Sequence, residues 1–257
     1  MGNNKAKEYS AVKVKLTIIS CVFTVVVMSA LIWFGWSLMF ARIAHDLSPN
    51  YFIAVGLYFI MFSAYLFVLA FPLSYYGSFV VEHRFGLSNQ TFIEWLKEGI
   101  KKEVLSIAFG LILVEGLYFF IRVAPTRWWL WAWGFLFLFK IVIGHLFPVL
   151  IVPLFYKYSP IADQALYDRI LAFVSKHGPK VKGIFSLNLS KTTKKANAAF
   201  CGLGSTKRVI LSDTLLEKFT PDEIEMVLAH EIGHFRMKHL LKGIAFESVL
   251  LFVGFYF

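Results

Sequence analysis

Long apolar segments alternate with short polar connections through most of the chain. Four of them match or exceed the length of about 20 residues that a helix needs to cross a bilayer, and they cover approximately residues 16–40, 51–81, 104–123 and 128–155. A fifth apolar segment opens at Leu240 and is cut off at Phe257. The pattern predicts a polytopic helical membrane protein, with four transmembrane helices in residues 1–156 and the truncated start of a fifth in residues 240–257.

Residues 157–239 have shorter periodicities, which predict a small α+β unit attached to the helical membrane body. Apolar residues recur at intervals of three and four residues over 159–178, which is typical of a helix, and Gly178 is a plausible C-terminal end of that helix. The strands expected after this helix are 183–190, a candidate within 196–204, and 208–211, which turns at Ser212 into another helix. The fold class is therefore expected to be mainly α, with one small α+β unit.

Composition and charge agree with an integral membrane protein. Hydrophobic residues make up 58% of the 257 positions, whereas a soluble domain averages about 45–50%. Of the +10 net charge, most lies in the N-terminal tail and in the connection after the second span, which would share one face with residues 157–239. The excess of Lys and Arg on this face predicts that residues 157–239 lie on the cytoplasmic side. The membrane is expected to be a bacterial inner membrane or the endoplasmic reticulum. The basic residues form no stripe, so no nucleic-acid partner is expected.

A short motif near the end of the polar region carries the candidate chemistry. Thr220, Pro221 and Glu223 have the pattern of a capped helix start. On the helix that follows, His230 and His234 are four residues apart and therefore lie on one face. Glu231 is rotated by about 100° from His230. This is the arrangement of a zinc hydrolase, in which the two histidines bind the metal and the glutamate acts on water.

The expected cofactor is one Zn²⁺ per active site, held by His230, His234 and a third protein ligand. Zinc lowers the pKa of bound water to about 7, and Glu231 would accept the proton as catalytic base. His239 is not expected to be the third ligand, because in a continuous helix it would point about 180° away from His230. The motif alone also leaves open a pair of surface histidines on an amphipathic helix.

Three ionisable residues, Glu115, Lys140 and His145, fall inside apolar spans. Such groups are costly in a membrane and usually face a partner or water. We expect them to line a shared interior. The alternatives are a structural Glu115–Lys140 pair and a hydrogen bond from His145 to a neighbouring helix.

Four stretches together, residues 82–92, 152–161, 197–216 and 227–239, resemble the type I integral-membrane CAAX prenyl endopeptidases. These are gluzincin-like zinc metalloproteases of the H-E-x-x-H type that trim prenylated C-termini, and they are related to bacterial heat-shock membrane proteases. The stretches occur in the order and with the spacing typical of that family, so the resemblance covers the whole chain.

The resemblance implies that His230 and His234 are zinc ligands and that Glu231 is the catalytic base. It also implies that Asn197, Ala198, Ala199 and Phe200 form an edge strand that binds the substrate, with Asn197 near the substrate backbone or the oxyanion. An extended peptide can add to such an edge through main-chain hydrogen bonds. A strand-end turn residue is the alternative for Asn197.

The third zinc ligand of that family is a glutamate on a later helix. After Glu231 the sequence contains one acidic residue, Glu247, inside the last apolar run, where we expect it to line the interior. The third ligand is therefore expected beyond Phe257. On this interpretation the sequence is the N-terminal portion of a longer protein, and the 257-residue chain alone would bind zinc weakly and show no turnover.

The leading hypothesis is a membrane zinc metalloendopeptidase that acts near the C-terminus of prenylated CAAX-type proteins. Its partners would be a prenylated peptide or protein substrate and the lipid bilayer. A quality-control protease of the heat-shock type, with little sequence selectivity, and a non-catalytic truncated scaffold are the alternatives.

Overall fold

The structure, a computed structural model, describes residues 3–202 and 206–256, without the side chains of Asn3 and Leu240. The chain divides into two compact units, Met1–Pro125 and Thr126–Phe257. The regular elements of the first unit are all helices among its described residues, joined by short non-helical connections. Its elements are α1 (Asn3–Trp33), α2 (Trp36–Leu47), α3 (Tyr51–Tyr75), a π-helical turn (Tyr76–Val80), α4 (Val81–Arg84) and α5 (Phe92–Val123).

The predicted first span, residues 16–40, is wrong as a single helix. The helix breaks at Gly35, whose φ of 70° lies in the left-handed region, and α2 continues in a new direction from Trp36. Glycine adopts this conformation at little cost because it has no Cβ atom. A lone glycine in a run of apolar residues is a weak signal, so the hydropathy pattern alone missed the break.

The predicted third span begins twelve residues too late, because α5 starts at Phe92 and not at Val104. Thr91 caps this helix: its Oγ1 accepts a hydrogen bond from the Glu94 amide at 3.3 Å, and the Glu94 carboxylate accepts one from the Thr91 amide at 2.8 Å. This reciprocal capping box satisfies two amides at the helix start. The charged residues after Glu94 therefore form the first turns of a long helix whose later part is apolar.

Four described helices are long and apolar enough to cross a membrane: Asn4–Trp33, Tyr51–Arg84, Phe92–Val123 and Trp128–Phe155. The fifth predicted segment forms a helix, His239–Tyr256. Residues Leu241–Tyr256 are long and apolar enough to cross a membrane when they are counted together with the preceding helix, Pro221–Arg236. The axes of these two helices are bent by 45° relative to each other. The four long apolar helices before residue 157 correspond to the four apolar segments of the sequence, and their role as transmembrane helices stays a prediction.

The second unit combines helices with a four-stranded sheet. Its elements are α6 (Trp128–Leu146), a π-helical turn (Phe147–Ile151), α7 (Val152–Phe155), β1 (Tyr158–Ser159), α8 (Gln164–His177), β2 (Ile184–Leu187), a 3₁₀ turn (Leu189–Lys191), β3 (Ala198–Cys201), β4 (Arg208–Ser212), α9 (Asp213–Lys218), α10 (Pro221–Arg236) and α11 (His239–Tyr256). The strand order is β1-β2-β4-β3, with β2 and β4 parallel and the other pairs antiparallel.

The predicted elements of the polar region are confirmed with small shifts. The helix over 159–178 forms α8, which ends at the C-cap residue Gly178, and the three strands are present at their predicted places. Because β3 is last in the strand order, one of its edges has no neighbouring strand among the described residues. Asn197 immediately precedes β3, so the predicted edge strand is displaced by one residue.

The core of the second unit lies between the sheet and the helices α8, α9 and α10. Its fully buried side chains come from every one of these elements: Ile170, Val174, Val209, Leu211, Leu215, Ile224 and Leu228. Burying each Ile, Leu or Val side chain contributes about 1.5–3 kcal/mol. The sheet and α10 therefore form one packed body.

A buried hydroxyl, Ser212 Oγ, joins the edge strand to the rest of this body. It accepts hydrogen bonds from the Asn197 amide at 2.8 Å, the Thr214 hydroxyl at 2.9 Å and the Leu215 amide at 3.1 Å. The amide of Ser212 in turn donates to the Asn197 carbonyl oxygen at 2.9 Å. One side chain thus caps α9 and fixes the start of β3.

A smaller cluster lies on the other side of the sheet, around Val152, Leu187 and Ile210. Cys201, at the end of β3, packs against it, and burial raises the pKa of the Cys201 thiol. Burial also raises the pKa of the nearby Tyr158 hydroxyl, against the opposing effect of Arg208. These groups therefore stay neutral over the physiological pH range.

In the second unit, α6 and α11 pack along each other. The Trp133 indole donates a hydrogen bond to the Ser248 carbonyl oxygen at 3.0 Å, and Lys140 forms an ion pair with Glu247. The alternative of a Glu115–Lys140 pair is therefore wrong, because the partner of Lys140 is on α11. His145 interacts with Thr206, whose hydroxyl donates to the His145 carbonyl oxygen at 3.2 Å.

Replacing Ser212 with Ala should destabilise the second unit. The variant leaves the Asn197 and Leu215 amides without their acceptor, and an unsatisfied buried group costs about 1–3 kcal/mol. Pulse proteolysis in a denaturant series would measure the free energy of unfolding. Ser159→Ala is the matched control, because Ser159 is exposed. Equal stability of the two variants would contradict the assigned role.

The Cys201 thiol should react with iodoacetamide along a pH profile shifted to higher pH than that of an unfolded cysteine. Alkylation requires the thiolate, and burial disfavours that charged form. The measurement uses a Cys21→Ser background, folded and in denaturant. Burial that only blocked access would slow the reaction without moving the midpoint, so an unshifted midpoint would count against the raised pKa.

Candidate active site

Two opposite faces of α10 determine where the motif points. Ile224, Leu228 and Ile232, each four residues from the next, are buried at 0%, 0% and 3% exposure. His230 follows Leu228 by two residues, which is a rotation of about 200° on a helix. His230 and His234 are accordingly exposed on the side away from the core. α10 is therefore amphipathic, with its apolar face on the sheet.

The start of α10 is the predicted capping box. The Glu223 carboxylate accepts a hydrogen bond from the Thr220 amide at 2.8 Å, and Thr220 Oγ1 accepts one from the Glu223 amide at 3.4 Å. Pro221 occupies the first helical position, where its missing N–H is not needed. The position of the first turn is therefore fixed by local sequence.

Polar contacts to α8 hold α10 at both ends. Arg169 forms ion pairs with Asp222 and Glu225 in the first turns. The hydrogen bond from Arg169 lowers the pKa of the Glu225 carboxyl, and these carboxylates raise the pKa of Arg169. At the other end, the Arg236 Nε donates to the His177 carbonyl oxygen at 3.0 Å. These bridges are solvent-exposed and add little to stability, but they align the two helices.

The two motif histidines converge through one ring nitrogen each. His230 Nε2 and His234 Nε2 are 3.1 Å apart. Two ligands bound tetrahedrally to one Zn²⁺ at about 2.0–2.1 Å would lie about 3.3 Å from each other. The donor type and the separation therefore fit two ligands of a single zinc ion. Among residues 3–202 and 206–256, no group of three or more His, Cys, Asp or Glu side chains is placed to hold a metal.

His239 lies beside His234, contrary to the helical-wheel argument. His239 Nδ1 is 2.7 Å from His234 Nδ1. The argument assumed a continuous helix, but α10 ends at Arg236 and Lys238 has a left-handed φ of 53°. His239 is near His234 Nδ1, whereas His230 is near His234 Nε2, on the other side of the ring. His239 is therefore still not expected to be a ligand, because of this position and not because of the helical wheel. This expectation stays a prediction.

A cavity of about 400 Å³ opens next to the motif. Glu231, half-buried, and His234 line it together with the end of β3, where Phe200, Cys201 and Gly202 contribute. The other lining residues are Pro179, Lys207, Phe235, Arg236, Lys238, His239 and Leu241. The cavity therefore joins the predicted base, one predicted ligand and the edge strand.

The predicted substrate-binding residues take different positions. Phe200 lines the cavity, whereas Ala198 is buried in the core beneath the sheet. The side chain of Asn197 is exposed. Its main-chain N–H donates a hydrogen bond to Ser212 Oγ, and its main-chain carbonyl oxygen accepts one from the Ser212 amide. Ala199 is half-buried on the strand between them.

Sequence reasoning missed the lining residues that follow Phe200. Gly202 has a φ of 89°, and a Cβ atom there would lie 2.6 Å from the Thr206 carbonyl oxygen. Only glycine fits this turn, so the two glycines that follow Phe200, Gly202 and Gly204, were the available signal. Gly204, the second of them, is outside the described residues. No sequence signal pointed to Lys207 or His239.

Two family models together match almost the whole chain. The model described as CAAX prenyl protease N-terminal, five membrane helices, matches residues 3–157. The model described as Peptidase family M48 matches residues 160–257.

Similar proteins carry corresponding names. CAAX prenyl protease 1 of Saccharomyces cerevisiae is 36% identical over 188 residues, covering 72% of this chain and 41% of the relative. The Dictyostelium discoideum homolog of that protease is 31% identical over 256 residues, covering 96% of this chain and 59% of the relative. The crystal structure of S. mikatae Ste24p aligns with a TM-score of 0.86 at 29% identity, over 97% of this chain and 59% of that one.

The chain spans between two fifths and three fifths of the length of these relatives. Within that span the long apolar helices agree with the membrane helices named in the description of the first family model. The chain belongs to peptidase family M48 and carries the membrane region typical of CAAX prenyl proteases.

Proposed function

We propose that the protein is a membrane-embedded zinc endopeptidase that cleaves peptide bonds near the C-terminus of prenylated CAAX-type proteins. One observation carries this proposal: His230 Nε2 and His234 Nε2 converge to 3.1 Å, with Glu231 between them in sequence at the wall of the cavity. The names of the relatives, CAAX prenyl protease 1, support the substrate class.

The two histidines would hold the zinc ion through Nε2. When bound, zinc supplies a Lewis acid and lowers the pKa of water to about 7. Glu231 then provides the proton transfers that the reaction needs. Its carboxylate accepts a proton from the attacking water and delivers it to the nitrogen of the leaving amine.

The edge of β3 would bind the substrate in an extended conformation. A peptide added to this edge forms main-chain hydrogen bonds, and the strand runs toward the cavity that holds Glu231. Asn197 would lie near the upstream end of the bound peptide, and Phe200 beside the scissile bond. Phe235 and Leu241 give the cavity an apolar wall suited to aliphatic residues.

The catalytic unit would face the cytoplasm. The N-terminal tail and the region around Arg84, Lys97 and Lys101 carry most of the Lys and Arg that border the apolar helices. This excess is typical of cytoplasmic loops. The even number of long apolar helices before residue 157 would return the chain to that side.

Glu231→Gln in the full-length protein should lower kcat by about 10²–10⁴-fold while zinc stays bound, because general-base catalysis contributes on that order. His230→Ala should lose both zinc and activity. The assay is peptide cleavage combined with metal analysis of the purified protein. Glu217→Gln is the control, since Glu217 is exposed on α9 away from the cavity. Retained peptidase activity in Glu231→Gln would refute the assignment.

Cleavage should depend on the lipid of the substrate. Two peptides of identical sequence, one farnesylated on its cysteine and one not, would be compared by kcat/KM. We expect the prenylated peptide to be cleaved at least about tenfold better, which corresponds to about 1.4 kcal/mol of extra transition-state binding. Equal cleavage of both peptides would favour the quality-control protease instead. Absence of stoichiometric zinc would favour the non-catalytic scaffold.

A further inference from the structure

We infer that His239 is a positioning residue for the zinc site: it accepts a hydrogen bond from His234 Nδ1–H and so fixes the tautomer and orientation of that ligand. The inference rests on the proposed function, since it concerns a histidine that would bind zinc. It adds a residue outside the H-E-x-x-H motif to the machinery of the site.

The geometry places the two contacts of His234 on opposite ring nitrogens. Nε2 faces His230 at 3.1 Å, and Nδ1 faces His239 Nδ1 at 2.7 Å. The rings of His234 and His239 have centroids 4.9 Å apart at an interplanar angle of 66°. The approach is therefore edge-on, through nitrogen atoms, and not a stacking of ring faces.

The positions of the ring protons show that His234 is the hydrogen-bond donor and His239 the acceptor. A histidine that binds a metal through Nε2 uses the lone pair of that atom, so its ring proton must be on Nδ1. At 2.7 Å, one proton lies between the two Nδ1 atoms. His239 is therefore the acceptor, with its own ring proton on Nε2. Ligating histidines almost always donate their second N–H to such a partner, which orients the ring and raises its basicity.

The backbone between the two histidines makes this contact possible. In an unbroken helix, His239 would be rotated by about 140° from His234. Lys238, with its φ of 53°, is the one described non-glycine residue with a positive φ. A side-chain-bearing residue rarely adopts this conformation, and such conformations cluster at functional sites. The turn ends α10, and α11 begins at His239. As a result, the imidazole of His239 lies next to that of His234.

A direct ligand role for His239 fits less well. A third ligand would need a nitrogen near the two Nε2 atoms, whereas the described contact is to the far side of the His234 ring. In addition, His239 belongs to no group of three or more His, Cys, Asp or Glu side chains that the described residues place around a common point.

The test uses three variants of the full-length protein. His239→Phe keeps a ring and removes the acceptor, His239→Leu removes both, and His239→Asn restores an acceptor oxygen close to the position of Nδ1. His45→Phe is the control for loss of an exposed imidazole, because His45 lies on α2 in the other unit. Zinc affinity is measured by competition with a chromophoric chelator, and the ligand field by the visible spectrum of the Co²⁺-substituted protein.

We expect His239→Phe and His239→Leu to weaken zinc binding by about 10–100-fold and to alter the Co²⁺ spectrum, with His239→Asn and His45→Phe close to the unchanged protein. Thermal unfolding of each variant identifies any that is misfolded. If His239→Phe is misfolded, His239→Leu takes its place.

Unchanged zinc affinity in both variants that lack the acceptor would overturn the inference. Loss of zinc in His239→Asn as complete as in His230→Ala would also overturn it, because it would make His239 a ligand. Absence of zinc from the unchanged protein would overturn the proposed function itself.

Discussion

The site depends on the burial of one face of α10. Ile224, Leu228 and Ile232 fix the rotation of the helix about its axis because they are packed against the sheet and α8. Once that rotation is fixed, the imidazoles of His230 and His234 have one direction in which to point. A metal site needs this rigidity, because its ligands must be held within a fraction of an ångström of their bonding positions. Hydrophobic packing thus sets the direction of the two imidazoles in the candidate metal site.

The same packing connects the motif to the surface that would bind a peptide. α10 lies against β3, and the buried hydroxyl of Ser212 anchors Asn197, the residue immediately before that strand. Within the part of the chain that the structure describes, the strand therefore has one edge without a neighbouring strand, and it ends at a defined place beside Glu231. The small apolar cluster around Val152 and the neutral Cys201 thiol lie on the other side of the sheet.

Much of this arrangement could be predicted from the sequence, because local signals specify it. Hydropathy located the long helices, and Thr220 with Glu223 marked the start of α10. Periodicity found α8 and the three strands after it. The predictions failed where structure depends on backbone conformation or tertiary contact. Gly35 breaks an apolar run that hydropathy treats as uniform, Lys238 is left-handed without any glycine to signal it, and the pairing of Lys140 with Glu247 depends on which helices are neighbours.

The short junction between α10 and α11 has a mechanical consequence. α11 begins with His239 and is fastened along α6 by the Trp133–Ser248 hydrogen bond and the Lys140–Glu247 ion pair. His239 is therefore bonded to the apolar helix pair through the main chain and contacts His234 through its imidazole. A single residue thus connects the helices suited to a membrane with the candidate metal site.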